Sequence, residues 1–166
     1  MVTNSYGVRA TDLVSRLLED DPDAVDARAY VRTTLPWWED LDDFTKAYIE
    51  AALWSTNDES DPSGGEPLDK NYGIENIAHE TIDQMKQDCA RFQQENAADL
   101  ALYDMTGANW SAAEQGGHDF WLSRNGHGAG FFDRDNLPED ARDRLQDAAR
   151  LYGEVYLEVG DDGQIY

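Results

Sequence analysis

The chain has 166 residues, with 35 Asp and Glu against 13 Lys and Arg, and its formal net charge is −22 at pH 7. A phosphate backbone or an anionic lipid surface binds to a basic protein face and repels a chain as acidic as this one. We therefore expect no direct binding to nucleic acid and none to membranes. Neither a signal-peptide pattern nor a run of about 18 apolar residues occurs, which favours a cytoplasmic protein. The single cysteine, Cys89, excludes an internal disulfide.

The first two-thirds of the chain is predicted to be helical. Residues 1–40 are expected to form a helical N-terminal segment, an addition to a single α+β domain of residues 41–166. Residues 40–55 are predicted to form the next helix, because the carboxylates at its start suit the helix dipole. After a polar loop, an apolar stripe from Ile74 to Tyr103 predicts one long central helix, with Cys89 buried on it.

The last third is predicted to form a small antiparallel sheet. Residues 118–124 and 130–134 have the pattern of two strands, and Asn125-Gly126 between them is typical of a tight turn, so a β-hairpin is expected at about 118–134. A helix is expected from residue 137 to 151, followed by a C-terminal strand at about 154–165. The predicted fold class is α+β, with the long central helix packed on this sheet.

Four segments of the sequence resemble those of a known family. The most distinctive is His-Asp-Phe-Trp-Leu-Ser-Arg-Asn-Gly-His-Gly-Ala-Gly-Phe-Phe-Asp-Arg at 118–134, and the others lie at 51–55, at 67–72, and at 153–155 together with 160–165. Together they resemble a family of small proteins encoded by bacteriophages, prophages and plasmids, over about residues 44–166. The resemblance implies an accessory protein of a mobile genetic element that works in the host cytoplasm. It implies no catalytic residue.

Two histidines and two aspartates in the predicted hairpin are the candidates for a metal site: His118, Asp119, His127 and Asp133. Imidazoles and carboxylates together can bind a divalent metal for hydrolysis. Adjacent side chains of a strand point to opposite faces, however, and no established metal-ligand spacing is present. A structural role is therefore the preferred interpretation, and we expect no metal and no other cofactor.

Two arginines, Arg124 and Arg134, flank the glycine-rich stretch of residues 125–130. An anion site in this loop is the less favoured interpretation, because the loop contains no Lys and does not lead into a helix N-terminus. We expect both guanidinium groups to pair with neighbouring carboxylates.

Candidate partner contacts come from tryptophans and from exposed acidic stretches. Trp54 and Trp121 are expected in the core, whereas two adjacent indoles cannot both point inward from a regular element, which places one of the Trp37-Trp38 pair at the surface. Acidic residues at the start of the predicted helix 40–55 and in the following loop complete the set. The candidates are Trp37, Trp38, Asp40, Asp42, Asp43, Asp58, Glu59 and Asp61.

Three functions remain open. The first, favoured by the resemblance to mobile-element proteins, is a non-enzymatic inhibitor that imitates DNA and binds a basic nucleic-acid-binding host protein of a restriction or CRISPR system. The second is a salt-adapted protein with a regulatory or protein-binding role, since Asp outnumbers Glu 23 to 12 and only three Lys accompany ten Arg. The third is a metal-dependent hydrolase that uses His118 and His127.

Overall fold

The computed structural model of the protein describes residues 35–60 and 65–166. Most of the helical segment predicted for residues 1–40 therefore lies outside the described residues. The described chain forms two compact units. One comprises residues 35–41, 53–60, 65–78 and 158–166, and the other comprises residues 42–52 and 79–157.

The described chain is built from helices. Its α-helices are α1 (Pro36–Glu39), α2 (Asp43–Ser55), α3 (His79–Glu95), α4 (Ala97–Leu100), α5 (Ala112–Arg124) and α6 (Glu139–Arg150). Short 3-10 turns occur at Leu68–Lys70, Ile74–Asn76 and Phe131–Asp133. None of the helices in the described ranges combines the length and the apolarity that crossing a bilayer requires. The helices predicted for residues 40–55 and 137–151 are confirmed as α2 and α6.

The predicted α+β fold class is wrong. No strand or sheet forms in residues 35–60 and 65–166, and pairing between extended segments is limited to isolated bridges. These bridges join Asn57 to Pro67, Ile77 to Ile165 and Val159 to Ile165. The C-terminal strand expected at about 154–165 is therefore reduced to single bridges around Ile165, because the described residues contain no neighbouring strand that could continue a ladder.

The prediction of a first hairpin strand at residues 118–124 is wrong as well, because residues 112–124 form α5. The hydroxyl of Ser111 accepts a hydrogen bond from the backbone N–H of Glu114 at 3.1 Å, and the Glu114 carboxylate accepts one from the N–H of Ser111 at 2.6 Å. This capping box starts a helix. At its other end Gly126 has a φ of 65°, the left-handed conformation that commonly ends helices. Asn125-Gly126 therefore terminates a helix here.

The predicted return strand is a 3-10 turn at Phe131–Asp133. The Asp133 carboxylate accepts a hydrogen bond from the N–H of Gly130 at 3.0 Å, and the hydroxyl of Ser123 accepts one from the N–H of Phe131 at 3.0 Å. The turn is thereby attached to the C-terminal end of α5 through a side chain. Because these backbone groups bond to side chains, they form no hairpin ladder.

The long central helix expected from Ile74 to Tyr103 is interrupted twice. Ile77 leaves helical geometry with a ψ of 129°, so α3 begins only at residue 79. Asn96 has a φ of −118° and a ψ of 18°, and its side-chain amide donates a hydrogen bond to the carbonyl of Phe92 at 2.9 Å. An Asn side chain that bonds nearby backbone competes with the helical hydrogen bonds, and here it separates α3 from α4.

Aromatic side chains of α2, α3 and α5 form the core of the unit that comprises residues 42–52 and 79–157. The ring of Phe92 stacks on that of Phe120 with centroids 4.0 Å apart, and Tyr48 meets Trp121 edge-on at 5.2 Å. Helix α2 approaches α5 so closely that a Cβ on Gly117 would lie 1.9 Å from the carbonyl oxygen of Phe44. Only glycine permits this approach, so α5 packs directly against α2 within the unit.

The other unit has a smaller core around its C-terminal residues. Ile165 is fully buried, accepts a hydrogen bond from the N–H of Ala78 at 2.9 Å and donates one to the carbonyl of Asn76 at 2.7 Å. Leu68 and Ile74 are also fully buried. Burial of these aliphatic side chains holds the C-terminal residues on the segment of residues 65–78.

Candidate functional site

The most distinctive polar feature of the described chain is a buried ion pair between α5 and the turn that follows it. The side chain of Asp119 is fully buried, and Arg134 donates to it through Nε at 2.8 Å from each carboxylate oxygen and through Nη2 at 2.5 Å from Oδ1. Tyr103 and Gln115 donate to Oδ2 at 2.7 and 3.1 Å. These four residues are called the Asp119 cluster below.

Burial and hydrogen bonding act in opposite directions on the Asp119 carboxyl. Burial raises its pKa, but the nearby imidazole of His118 and the hydrogen bonds and positive charge of Arg134 outweigh this effect, so the pKa of Asp119 lies below its usual value. Burial and the adjacent carboxylate raise the pKa of Tyr103. The carboxylate is thus ionised at neutral pH, and its lone pairs are occupied by donors from the protein itself.

His118 lies at the edge of the Asp119 cluster. Its Nδ1 is 3.8 Å from Oδ1 of Asp119, and its side chain is 19% exposed. The ring of Trp110 meets the imidazole edge-on with centroids 5.7 Å apart. The imidazole therefore lies with its Nδ1 near a buried carboxylate and beside an indole that is about half exposed.

A second buried charge, Arg124, ends α5. Its Nη1 donates to the Tyr48 hydroxyl at 2.7 Å and to the Asp88 carboxylate at 2.9 Å. Its Nε and Nη2 donate to the carbonyl oxygens of Gly153 and Tyr152 at 2.9 and 3.0 Å. Arg124 thus joins α2, α3 and the residues after α6 to α5, which is a structural role. The prediction that Arg124 and Arg134 pair with carboxylates is confirmed.

The glycine-rich loop is anchored at its start by Asn125. The side-chain amide of Asn125 donates to the carbonyl of Trp121 at 3.0 Å, and its oxygen accepts from the N–H of Val155 at 2.7 Å. The N–H of His127 donates to the carbonyl of Leu122 at 3.2 Å, while its side chain is exposed. The loop therefore continues from α5 and is tied back to it.

The geometry favours the structural interpretation of the four metal candidates. The oxygens of Asp119 are occupied by Arg134 and its neighbours, and Asp133 caps the N–H of Gly130. Of the candidates, the contacts place only His118 beside Asp119. Within the described ranges no group of three or more His, Cys, Asp or Glu side chains is placed to hold a metal ion.

The tryptophan candidates divide between core and surface. Trp38 is 2% exposed and Trp37 is partly exposed, with their rings edge-on at 6.0 Å. Trp121 is buried as predicted, but the prediction for Trp54 is wrong, since its side chain is 43% exposed.

Two of the acidic candidates have local structural roles. Asp42 caps α2 by accepting hydrogen bonds from the N–H of Thr45 at 3.0 Å and from its hydroxyl at 2.8 Å. Asp58 is buried and accepts a hydrogen bond from the N–H of Ser60 at 3.0 Å. Four of the acidic candidates are exposed, namely Asp40, Asp42, Asp43 and Glu59. Asp61 lies outside the described residues.

Most Lys and Arg side chains of the described residues form ion pairs, while many carboxylates are exposed to solvent. Six Lys or Arg side chains lie within 4 Å of a carboxylate: Lys86, Arg91, Arg124, Arg134, Arg142 and Arg144. In contrast, α6 displays exposed carboxylates at four-residue spacing, from Glu139 through Asp143 to Asp147. The acidity was predicted from the sequence, but this row of carboxylates was not. Residues four apart on a helix lie on the same face, so the spacing could have indicated it.

Comparison of the chain with protein-family models, with curated proteins and with solved structures finds no match. The resemblance of residues 118–134 to proteins of mobile elements therefore stays a prediction.

Proposed function

We propose that the protein is a non-enzymatic accessory protein of a mobile genetic element that inhibits a nucleic-acid-binding host defence system, of the restriction or CRISPR kind. It binds the basic nucleic-acid channel of its target in the place of DNA. One observation carries the proposal: six of the described cations lie in ion pairs, and exposed carboxylates such as those of Glu139, Asp143 and Asp147 dominate the surface charge.

A protein that imitates DNA must present negative charges about as densely as a duplex does. Carboxylates four residues apart on a helix are spaced by about 6 Å, whereas a duplex carries one charge per about 1.7 Å of its axis. A single helical row is therefore sparser than a duplex. Imitation of DNA therefore requires carboxylates from further elements, and the chain has 35 Asp and Glu in all.

The test has two steps. The full chain is immobilised to capture binding proteins from a host lysate, and a captured protein is then purified and loaded with a fluorescent DNA duplex. We expect the chain to displace the duplex, and its affinity to fall steeply with added salt because the contact is between opposite charges. An unrelated acidic protein of similar net charge is the control. Binding that leaves the duplex in place, or that is insensitive to salt, contradicts the proposal.

Salt adaptation is the alternative that the composition favours, because the excess of Asp over Glu and the scarcity of Lys would also suit a concentrated salt solution. In that case the carboxylates interact with solvent cations and the protein has a regulatory or protein-binding role. The stability of the chain in dilute buffer separates the two hypotheses, since only a salt-adapted protein needs molar salt to fold.

The hydrolase hypothesis receives no support from the geometry around His118. Replacing His118 and His127 together by Ala tests it directly. A folded double variant that keeps the inhibitory activity in cells dismisses a catalytic role for the two imidazoles, whereas a folded but inactive variant restores it.

A further inference from the structure

The outer face of α6 combines charge with an exposed apolar side chain. Glu139, Asp143 and Asp147 are exposed at four-residue spacing, and Leu151 follows at the same spacing with 88% of its surface exposed. Leu151 keeps helical backbone angles, with a φ of −65° and a ψ of −21°, so the row continues to it. These four residues are called the α6 surface. They extend over about 18 Å at 1.5 Å per residue.

The α6 surface is distinct from the side of the helix that holds the fold together. Ala141, Leu145 and Ala149 are fully buried and lie at helical spacing on the opposite side. Leu151 adds nothing to that buried stripe. A single exposed leucine is common in proteins, but a leucine that ends a row of carboxylates creates a surface with both an electrostatic and an apolar contact.

Neighbouring cations leave the row net negative. Arg144 is bound to Asp99 at 2.7 Å and to Asp140 at 3.0 Å, and Arg142 lies 3.9 Å from Asp135. Arg150 follows Asp147 by one turn and offsets one of the three row charges. An anionic nucleic acid or lipid surface is therefore repelled, and a basic protein segment is attracted.

We propose that the α6 surface is the docking site for a basic segment of the protein partner. Cationic side chains of the segment pair with Glu139, Asp143 and Asp147, and an apolar side chain at its end packs on Leu151. The inference rests on the proposed function and specifies which of the many carboxylates bind. It also distinguishes the partner segment from a simple polycation, because the segment carries an apolar anchor.

The apolar contact is tested with two synthetic helical peptides. One is an amphipathic peptide of Lys and Leu, and the matched peptide has each Leu replaced by Ser. Titrated into the isotopically labelled full chain, the first should shift backbone amide signals of residues 139–151 and bind about tenfold more tightly than the second. Leu151→Ser should abolish that preference, and Leu102→Ser, which alters another exposed leucine, should preserve it. Equal affinities of the wild-type chain for the two peptides overturn the apolar contact.

The charge contact is tested with two pairs of substitutions that each remove two exposed carboxylates. Asp143→Asn with Asp147→Asn changes the α6 surface, and Glu80→Gln with Asp83→Asn changes α3. We expect the first pair to weaken binding of the Lys and Leu peptide at least fivefold and the second pair to have less than half that effect. Equal weakening by both pairs means diffuse attraction and overturns the docking site, although the proposed function survives. Failure of the wild-type chain to displace a duplex from any captured protein overturns the proposed function itself.

Discussion

Arg134 closes over the carboxylate of Asp119 although fifteen residues separate them along the chain. The Asp119 side chain has no exposure, and that of Arg134 is 25% exposed. The pair joins the middle of α5 to the end of the turn Phe131–Asp133. It replaces the ladder of the predicted hairpin as the link between these two segments.

Breaking this pair should be costly. Arg134→Ala leaves a buried carboxylate without its cation, and we expect the free energy of unfolding to fall by about 3 to 5 kcal/mol. Arg144→Ala is the matched control, because Arg144 pairs with Asp99 and Asp140 at the surface, and its removal should cost less than about 1 kcal/mol. Urea denaturation measures both, and similar losses for the two variants contradict a stabilising role for the buried pair.

Glu50 makes stability depend on pH near neutrality. Burial raises the pKa of Glu50 from 4.5 to about 7, with a further rise from the Glu114 carboxylate and an opposing effect of Lys46. The folded state therefore binds more protons than the unfolded state between about pH 4.5 and 7, so the free energy of unfolding falls as the pH rises through this window. Below this pH window Glu50 is protonated in both states and does not lower the free energy of unfolding.

The substitution Glu50→Gln isolates this effect from the general repulsion of a highly charged chain. The variant should match the wild type near pH 4 and exceed its free energy of unfolding by up to about 3 kcal/mol at pH 8. Denaturation at a series of pH values makes the comparison. A constant difference between the two proteins from pH 4 to pH 8 would show that Glu50 does not titrate in this window.

The close approach of α2 and α5 depends on the absence of a side chain at Gly117. Gly117→Ala should destabilise the protein by at least about 2 kcal/mol, despite the better helix propensity of alanine, because its Cβ would overlap the Phe44 carbonyl. At Gly116 the nearest atom is in the Phe44 ring, 2.9 Å from the added Cβ, and the loss should be smaller. Thermal unfolding ranks the two variants, and the reverse order contradicts the described packing.

Cys89 provides a probe of global unfolding. Its thiol is fully buried, and burial raises its pKa well above the usual value. Since the thiolate is the reactive form, a thiol reagent should modify Cys89 only when the chain unfolds. Its rate of labelling should therefore rise with urea in parallel with the loss of helical signal. Rapid labelling in native buffer would place the thiol at the surface.

The elements that the sequence predicted correctly are those with one buried side. In α6 the buried residues Ala141, Leu145 and Ala149 recur at helical spacing between charged residues, which makes the helix readable. In α5 residues 119–124 are buried without interruption, so no periodicity remains to distinguish a helix from a strand. The capping box of Ser111 and Glu114 was the signal that should have indicated a helix.

The charged cluster could be predicted only in part. Pairing of Arg124 and Arg134 with carboxylates follows from the cost of burying an unpaired charge. Their partners could not be named, because Tyr48 lies 76 residues and Asp88 lies 36 residues from Arg124 along the chain. Gln115 lies four residues before Asp119 and would have been found as a neighbour if the segment had been recognised as a helix.

In the proposed function the excess carboxylates serve a protein partner and not the solvent. The most direct measurement is the free energy of unfolding of the full chain as a function of KCl, from dilute buffer to molar concentrations. We expect a chain that is folded and unfolds cooperatively in dilute buffer, with only a modest gain in the free energy of unfolding as salt screens its self-repulsion. A chain that is unfolded in dilute buffer and folds only in molar KCl would contradict this expectation.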